Sequence, residues 1–451
     1  MEHRYELLDR RNFLRFGAAG LGVAAAASLI PSGIALAGKP KFFTAPPLPK
    51  VRIGFVGVGG MGTAHVLNLV RIRGAEIRAV CDLFPERVER AQRIVESAGF
   101  PKPDGYSDGE WDFKNLCARD DIDLVYTATP WEWHVPVCLE AMKNGKHAAT
   151  EVPAAVTLKE CRQLVEASEK NQRYCIMMEN CCYDREEMMI LNMVRQGVLG
   201  ELLHAECGYL HDLRALKFDF ESKGEALWRT AHSIKRNGNL YPTHGLGPVA
   251  QCMNINRGDQ FDYLVSVSCL SRGLNLYAAK KFGPDSEWAK KSYALGDVNT
   301  SIIKTKLGRT IIVIHDTSTP RPYSRINMVQ GTRGIVQKWP NRIYIEDIIP
   351  LDECEDLEKY YPQYEHPLWS AKAEEARGAG HGGMDYIEDY RLIQCLLKGE
   401  PPDMDVYDAA AWSAVAPLSE LSVANGSRPV EFPDFTRGAW KERPPLGIVQ
   451  G

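Results

Sequence analysis

Val51-Arg52-Ile53-Gly54-Phe55-Val56 is a short, β-rich apolar run that passes directly into Gly57-Val58-Gly59-Gly60-Met61-Gly62. A helical stretch, Thr63 to Arg71, follows without a gap. Strand, G-x-G-x-x-G and helix in that order are the phosphate-binding opening of a Rossmann domain. Gly57 permits the tight turn, Gly59 lets a pyrophosphate approach the backbone, and Gly62 allows the helix to pack closely on the strand. The helix N-terminus then offers free N–H groups to the phosphates. Met61 stands at the start of that helix.

Working outward, a second strand, Glu76-Ile77-Arg78-Ala79-Val80-Cys81, ends at Asp82. An acid about 20 residues past the glycines accepts from a ribose 2′-hydroxyl and repels a 2′-phosphate, which points to NAD rather than NADP. Arg87 is close enough in sequence to soften that preference. Asp123–Thr129 is a further parallel-type strand leading into Pro130-Trp131-Glu132-Trp133-His134, and strand His147–Thr150 leads into Glu151-Val152-Pro153. Both turns fall at carboxyl ends of strands, where open α/β sheets bind ligands. From Ala154 onward the pattern changes. Long β-rich segments at Leu202–Tyr209, Tyr263–Leu270, Thr300–Lys306 and Thr310–Asp316 suggest a mostly antiparallel sheet, because no regular helices separate the later ones. Helical stretches are expected at 157–170, 185–196, 386–398 and 409–423, with a strand at Cys175–Met178.

The expected architecture is therefore α/β: an N-terminal Rossmann fold over 51–153 and a C-terminal α/β domain over 154–451 with a large, mostly antiparallel sheet. A chain of 451 residues is too long for one ordinary core, so two domains agree with its size. Hydrophobic residues make up 45% and the net charge is -4, which argues for a soluble protein and against a nucleic-acid partner. Residues 1–37 read as an address. Arg10-Arg11-Asn12-Phe13-Leu14-Arg15 is a twin-arginine pattern, an Ala/Gly/Leu-rich run follows to Ile30, and Ala35-Leu36-Ala37 is a small-x-small cleavage site. Export by the twin-arginine route to the periplasm is the expectation, with no membrane span in the mature chain. Residues 38–50, rich in Pro and Lys, read as an extended linker. The twelve cysteines contain no C-x-x-C pair and sit mostly in apolar segments, so buried free thiols are expected ahead of disulfides, and no metal site is read from the spacing.

Thr129-Pro130 with His134, followed by Glu151-Val152-Pro153, resembles the Gfo/Idh/MocA oxidoreductases across essentially the whole mature chain. That superfamily usually carries lysine where Val152 stands here, and valine cannot ionise to assist proton transfer. The departure has its own pattern. Glu151-Val152-Pro153-Ala154-Ala155, Glu179-Asn180-Cys181-Cys182-Tyr183, His211-Asp212-Leu213-Arg214, Gly238 to Gly245 and His381-Gly382-Gly383-Met384-Asp385 together resemble glycoside hydrolase family 109. The resemblance implies an NAD-dependent α-N-acetylgalactosaminidase acting on a small-molecule glycoside or a glycan terminus. In that chemistry NAD+ oxidises C3 of the sugar, the C2 proton is lost, the aglycone leaves C1, water adds and the cofactor is regenerated. A sugar oxidoreductase of the same superfamily is the alternative, and a non-catalytic sugar-binding protein a third. Superfamily members commonly pair through the open face of the sheet, so a homodimer is implied as well.

Carried over by position, the resemblance places Met61, Gly62, Asp82, Trp131, Glu132, Trp133, His134, Glu151, Val152 and Asn180 at the cofactor. It places Tyr183 or Tyr209, Arg229, Tyr241, His244 and Tyr323 at the sugar. His244 with Tyr241 is the choice for the C3 hydroxyl, since a neutral histidine is the best base available and tyrosine relays a proton. Tyr183 is the candidate for the C2 proton. Arg229 offers five donors to hydroxyl or acetamido oxygens. Competing readings stand beside these. His134 can be a packed core histidine, Tyr183 and Tyr209 can be core tyrosines, and His211-Asp212 can be an oriented base or an ordinary strand-end contact. His381 either closes the site or shapes a Gly-rich turn.

Overall fold

The computed structural model of the protein describes residues 36, 38–222, 224 and 226–450. The leader expected over 1–37 lies outside the described residues, Leu36 apart. Six strands, β1 (Val51–Val56), β2 (Ala75–Cys81), β3 (Asp104–Tyr106), β4 (Leu124–Thr127), β5 (His147–Thr150) and β6 (Cys175–Met177), form one sheet in the order β3-β2-β1-β4-β5-β6. Every pairing in it is parallel. That is the doubly wound dinucleotide order, in which the strand order reverses between β1 and β4 and leaves a crevice at the carboxyl ends. β4, β5 and β6 are buried at every position, as strands covered by helices on both faces must be. The sheet outruns the 51–153 range expected for the cofactor domain, because β6 returns to it after helix Leu158–Asn171. A capping box fixes that helix: Glu160 N–H donates to Thr157 Oγ1 at 3.2 Å, and Thr157 N–H donates back to Glu160 Oε2 at 2.9 Å.

The second sheet has eight strands: β7 (Leu202–Leu210), β8 (Phe261–Ser268), β9 (Val298–Thr305), β10 (Thr310–Asp316), β11 (Met328–Gly331), β12 (Gly334–Gln337), β13 (Arg342–Ile345) and β14 (Val430–Glu431). Their order is β13-β12-β11-β7-β10-β9-β8-β14. All pairings are antiparallel except β10 on β7, so the sheet is mixed and mostly antiparallel, as the sequence leads one to expect. One face packs into a core continuous with that of the first sheet. The other is open, with an apolar patch at its centre: Val265 pairs with Ile302 and Ile302 with Ile312, while Val267 and Ile302 stay exposed beside Lys304 and Glu206.

Helices then return to the first sheet. Met384–Lys398 packs on Gly60–Leu69, and Val406–Ser413 packs on Leu158–Asn171 and on β6. The single helix expected over 409–423 is two, Val406–Ser413 and Val415–Ala424, meeting at Ala414. Pro417 is the physical reason, since it has no N–H to donate to the Ser413 carbonyl and its ring crowds that position. Residues 38–50 hold no regular element but do not float free. The Ala45 N–H donates to Tyr174 Oη at 2.8 Å, Phe43 stacks on Tyr174, and Leu48 N–H donates to the Leu396 carbonyl. The twelve cysteines are free thiols, with Cys269 and Cys354 exposed and the rest buried. No helix among the described residues is long and apolar enough to cross a membrane.

Candidate active site

A cleft of about 560 Å³ runs along the carboxyl ends of β1, β2, β4 and β5. Its floor is the glycine loop. Gly57 has φ +85°, and a Cβ there would sit 2.8 Å from the Ala128 backbone. A Cβ on Gly62 would lie 1.9 Å from the Gly57 carbonyl oxygen, so that glycine permits the loop and is not itself part of the lining. At Gly60 an added Cβ would meet nothing within 4 Å, and at Gly59 it would meet the far end of Arg87 alone. The backbone is thus bare where a pyrophosphate must come closest. At the end of β2 the Asp82 carboxylate accepts from Val58 N–H at 2.9 Å and Phe84 N–H at 3.0 Å, with Arg87 at 3.7 Å. Burial raises the Asp82 carboxyl, and those N–H groups and Arg87 oppose the rise. These residues fit a dinucleotide, and they would hold its phosphates and adenosine ribose.

On the far side of the loop the cleft is lined by Thr129, Trp131, Trp133, His134, Glu151 and Val152. His134 is buried with both ring nitrogens against carbonyls, Nδ1 at 2.8 Å from Pro153 and Nε2 at 2.9 Å from Thr129. Burial pushes its pKa down. It ties together the two turns that form this end of the cleft, while the indoles of Trp131 and Trp133 face in. Glu132 points elsewhere, its carboxylate 3.0 Å from His232 Nε2 on helix Ala226–Lys235.

That helix and the segment before Thr243 bring the second domain to the cleft. Arg229 lies over the rings of Trp228, Trp131 and Tyr241, at 4.5, 5.2 and 5.3 Å. Trp131 stacks on Tyr241 at 5.2 Å, and Tyr241 meets His244 edge-on at 4.7 Å and Tyr209 at 4.8 Å. Tyr323 joins at 6.1 Å from Tyr209, its hydroxyl accepting from Arg325 at 2.9 Å. The expected sugar group of Tyr209, Arg229, Tyr241, His244 and Tyr323 therefore forms one cluster, continuous with the cofactor cleft at Arg229 and Tyr241. Burial raises the Tyr241 hydroxyl well above its ordinary pKa, so at neutral pH it is a proton donor.

His244 Nδ1 stands 2.7 Å from Glu179 Oε1. Glu179 has no exposed surface. Burial works to raise its pKa, but the neighbouring imidazole, the Thr243 hydroxyl and the Cys181 N–H outweigh burial and hold it below the ordinary carboxylate value. An ionised carboxylate only accepts, so the Nδ1 of His244 carries a proton and the contact fixes the orientation of the ring. Cys181 Sγ lies 3.3 Å from the same Nδ1. Glu179, Cys181 and His244 form a ligand-capable triangle that linear spacing hides, with Glu179 Oε1 and Cys181 Sγ both on His244 Nδ1. A second such cluster, Asp184, Glu186 and Glu187, is occupied by Arg325 and Lys338.

Several expected placements change. Tyr183 is buried away from the cleft, its hydroxyl donating to Asp403 at 3.0 Å and its carbonyl accepting from Trp369 Nε1, so it is a core tyrosine. Asn180 does not line the cleft either: its Nδ2 donates to Asp385 at 2.7 Å, and Asp385 also holds His381 at 2.8 Å. His211 and Asp212 are not paired. Asp212 takes Arg214 in two hydrogen bonds, whereas His211 Nδ1 meets the Tyr209 hydroxyl at 3.0 Å. Trp228 and Phe220 line the cleft without having been singled out in the sequence. Glu179 had a usable signal: an acid directly after the all-apolar run Cys175–Met178 sits at the carboxyl end of a buried strand.

Residues 51–179 match the oxidoreductase family with an NAD-binding Rossmann fold, and residues 183–442 match the glycosyl hydrolase 109 C-terminal domain. A glycosyl hydrolase family 109 protein of Shewanella pealeana is 49% identical over 453 residues, covering 98% of this chain and 99% of its own. One from Shewanella woodyi is 50% identical over 416 residues, covering 90% and 89%. Among solved structures, scyllo-inositol dehydrogenase of Lactobacillus casei with bound NAD(H) and scyllo-inositol superposes with TM-score 0.61 at 13% identity, covering 85% of this chain and 99% of its own. Levoglucosan dehydrogenase in complex with NADH and levoglucosan gives TM-score 0.63 at 18% identity, covering 85% and 100%. These structures share the fold, and the chain's cofactor domain is an NAD-binding Rossmann fold.

Proposed function

The chain belongs to glycosyl hydrolase family 109, and on that premise we propose that it hydrolyses terminal α-linked N-acetylgalactosamine by a cycle with no net redox change. The observation that carries the reading is the Glu179–His244 pair set beside Tyr241 and Tyr209, next to the NAD cleft. An ordinary glycosidase needs two carboxylates flanking the glycosidic bond. Here the carboxylate at the sugar cluster, Glu179, is wholly buried behind His244 and cannot flank a bond. The cluster offers an imidazole base and phenol donors instead, the groups required to move a proton at a sugar hydroxyl.

Bound NAD+ supplies a reversible oxidant for one ring carbon. His244 Nε2 takes the proton of the hydroxyl at that carbon, Glu179 stabilises the imidazolium, and Tyr241 donates to the same oxygen. Arg229, spread across three rings, orients the sugar through its hydroxyl or acetamido oxygens. With Tyr183 in the core, the remaining proton at C2 is assigned to Tyr209, whose hydroxyl is bonded to His211. Val152, buried in the lysine position of the wider superfamily, leaves that position with no ionisable group, which favours this cycle over net dehydrogenation. The test is turnover of a panel of nitrophenyl α- and β-glycosides in deuterated solvent, without added cofactor. Release of nitrophenol with deuterium at C2 is expected. Full retention of the C2 hydrogen would sink the mechanism.

Two further readings belong to the same proposal. The open apolar face around Val265, Val267, Ile302 and Ile312 pairs two copies of the chain. The chain is exported folded, with NAD already held, by the twin-arginine route, and a recycled cofactor suits a compartment with little free NAD.

A further inference from the structure

The cleft end opposite Asp82 carries one carboxylate in its lining, and a buried polar group stands directly behind it. His65 is wholly buried on helix Gly60–Leu69, with Nε2 2.8 Å from Glu151 Oε1 and Nδ1 2.9 Å from Asp389 Oδ2. Asp389 comes from helix Met384–Lys398, 324 residues away in sequence, and has no exposed surface. Asn68 Nδ2 and the Tyr126 hydroxyl also donate to Asp389, at 3.0 and 3.3 Å. Glu151 is the end that reaches the cleft.

We infer that His65 and Asp389 hold Glu151 as the exposed end of a buried triad with one net negative charge, which makes the cleft favour the oxidised, cationic nicotinamide over the reduced, neutral one. The site follows from topology. The glycine loop on β1 takes the pyrophosphate and Asp82 on β2 the adenosine ribose, so the other half of the dinucleotide falls over β4 and β5, where Glu151 is.

The charge count rests on the groups packed around it. Burial opposes charge on His65, but the carboxylates of Asp389 and Glu151 outweigh it and hold the imidazole well above its ordinary pKa. Burial holds the Asp389 carboxyl above its ordinary value, with His65 and Asn68 opposing the rise in part. Glu388, buried with neither oxygen bonded, is pushed far up and stands as a neutral acid. Asp385 and His381 pair with each other at 2.8 Å, which raises the imidazole and lowers the carboxyl, and burial keeps Tyr126 a neutral phenol. Two acidic side chains share the one imidazole of His65, so acid is in excess, and Glu151 is the end that faces the cleft.

His65 and Asp389 are positioning residues, so the test reads the cofactor's redox preference and uses no sugar. A chain inactive on every glycoside would leave the result standing. The purified full-length protein is equilibrated with NAD+/NADH mixtures of fixed ratio, and the reduced fraction of bound cofactor is read from nicotinamide absorbance. Glu151→Gln and Asp389→Asn should each move the bound ratio at least about tenfold toward NADH, a lower bound for one charge a few ångströms away at a dielectric between those of protein and water. Glu151→Asp, which keeps the charge, should stay within about threefold of the parent. Glu151 lies at the cleft surface, so its variants remain readable even where Asp389→Asn fails to fold. An unchanged ratio in Glu151→Gln, or equal weakening of both cofactor forms in Asp389→Asn, would overturn the inference.

Discussion

The Glu179 carboxylate stands 2.7 Å from Nδ1 of His244, joining the last strand of the cofactor sheet to the helix that follows Tyr241. Glu179→Gln keeps the shape but lets the amide choose either tautomer of the ring. We expect kcat on a nitrophenyl glycoside to fall about 10²- to 10³-fold while bound NAD is unchanged, with a larger loss for His244→Asn. Nucleotide content and steady-state kinetics on the same preparation check it. A normal kcat in Glu179→Gln would remove the dyad from the mechanism.

Gly62→Ala should abolish cofactor loading, because its Cβ would fall 1.9 Å from the Gly57 carbonyl oxygen and force the loop open. Gly60→Ala meets nothing within 4 Å and should fold normally. Nucleotide released on acid precipitation, measured for both variants against the parent, separates the two outcomes.

Arg229→Lys replaces a planar cation lying over three aromatic rings with a point charge that cannot stack. The expected result is a rise in KM of about tenfold with a smaller change in kcat. A kcat loss at constant KM would instead place Arg229 in the chemical step.

His147 is buried in β5, its Nδ1 accepting from Tyr174 N–H at 3.0 Å. Burial, helped by the Arg173 charge, lowers its pKa to about 4. Unfolding returns it to its ordinary value near 6.5, so between those values the unfolded chain binds the extra proton. Stability contributed by this residue is therefore complete above about pH 6.5 and is lost as pH falls toward 4, by about 3 kcal/mol in all. His147→Gln should flatten the denaturation midpoint over that window relative to the parent. An equally steep profile in the variant would assign the acid sensitivity elsewhere.

Ile302→Lys and Val267→Lys put charges on the open face of the second sheet, where Ile302 neighbours Val265 and Ile312. Light scattering after size exclusion should show a dimer for the parent and a monomer for the double variant. A monomeric parent would leave the apolar face without its proposed partner.

The first sheet was legible in the sequence because its signals are local. A β-run, three glycines at fixed spacing and an acid after the next strand depend on backbone geometry within about 30 residues. The second sheet was legible as alternating β-rich segments, though its parallel β7–β10 pairing was not, since strand order depends on which edges meet in space. The broken helix at Pro417 carried a local cue that a purely periodic reading of 409–423 passes over.

What the sequence by itself determined is the dinucleotide fingerprint, the run of motifs that pointed to the family, and the valine in place of lysine at position 152. Only the tertiary structure decided which polar side chains act together. Glu179 meets His244 across 65 residues, and His65 meets Asp389 across 324. Tyr183, inside a motif as suggestive as any, turned its hydroxyl to Asp403 in the core, and Asp212 turned from its neighbour His211 to Arg214. The physical reason is that a buried polar atom must find a partner wherever the packed chain provides one. That choice is made by burial and distance in the folded state, and linear spacing carries no record of it.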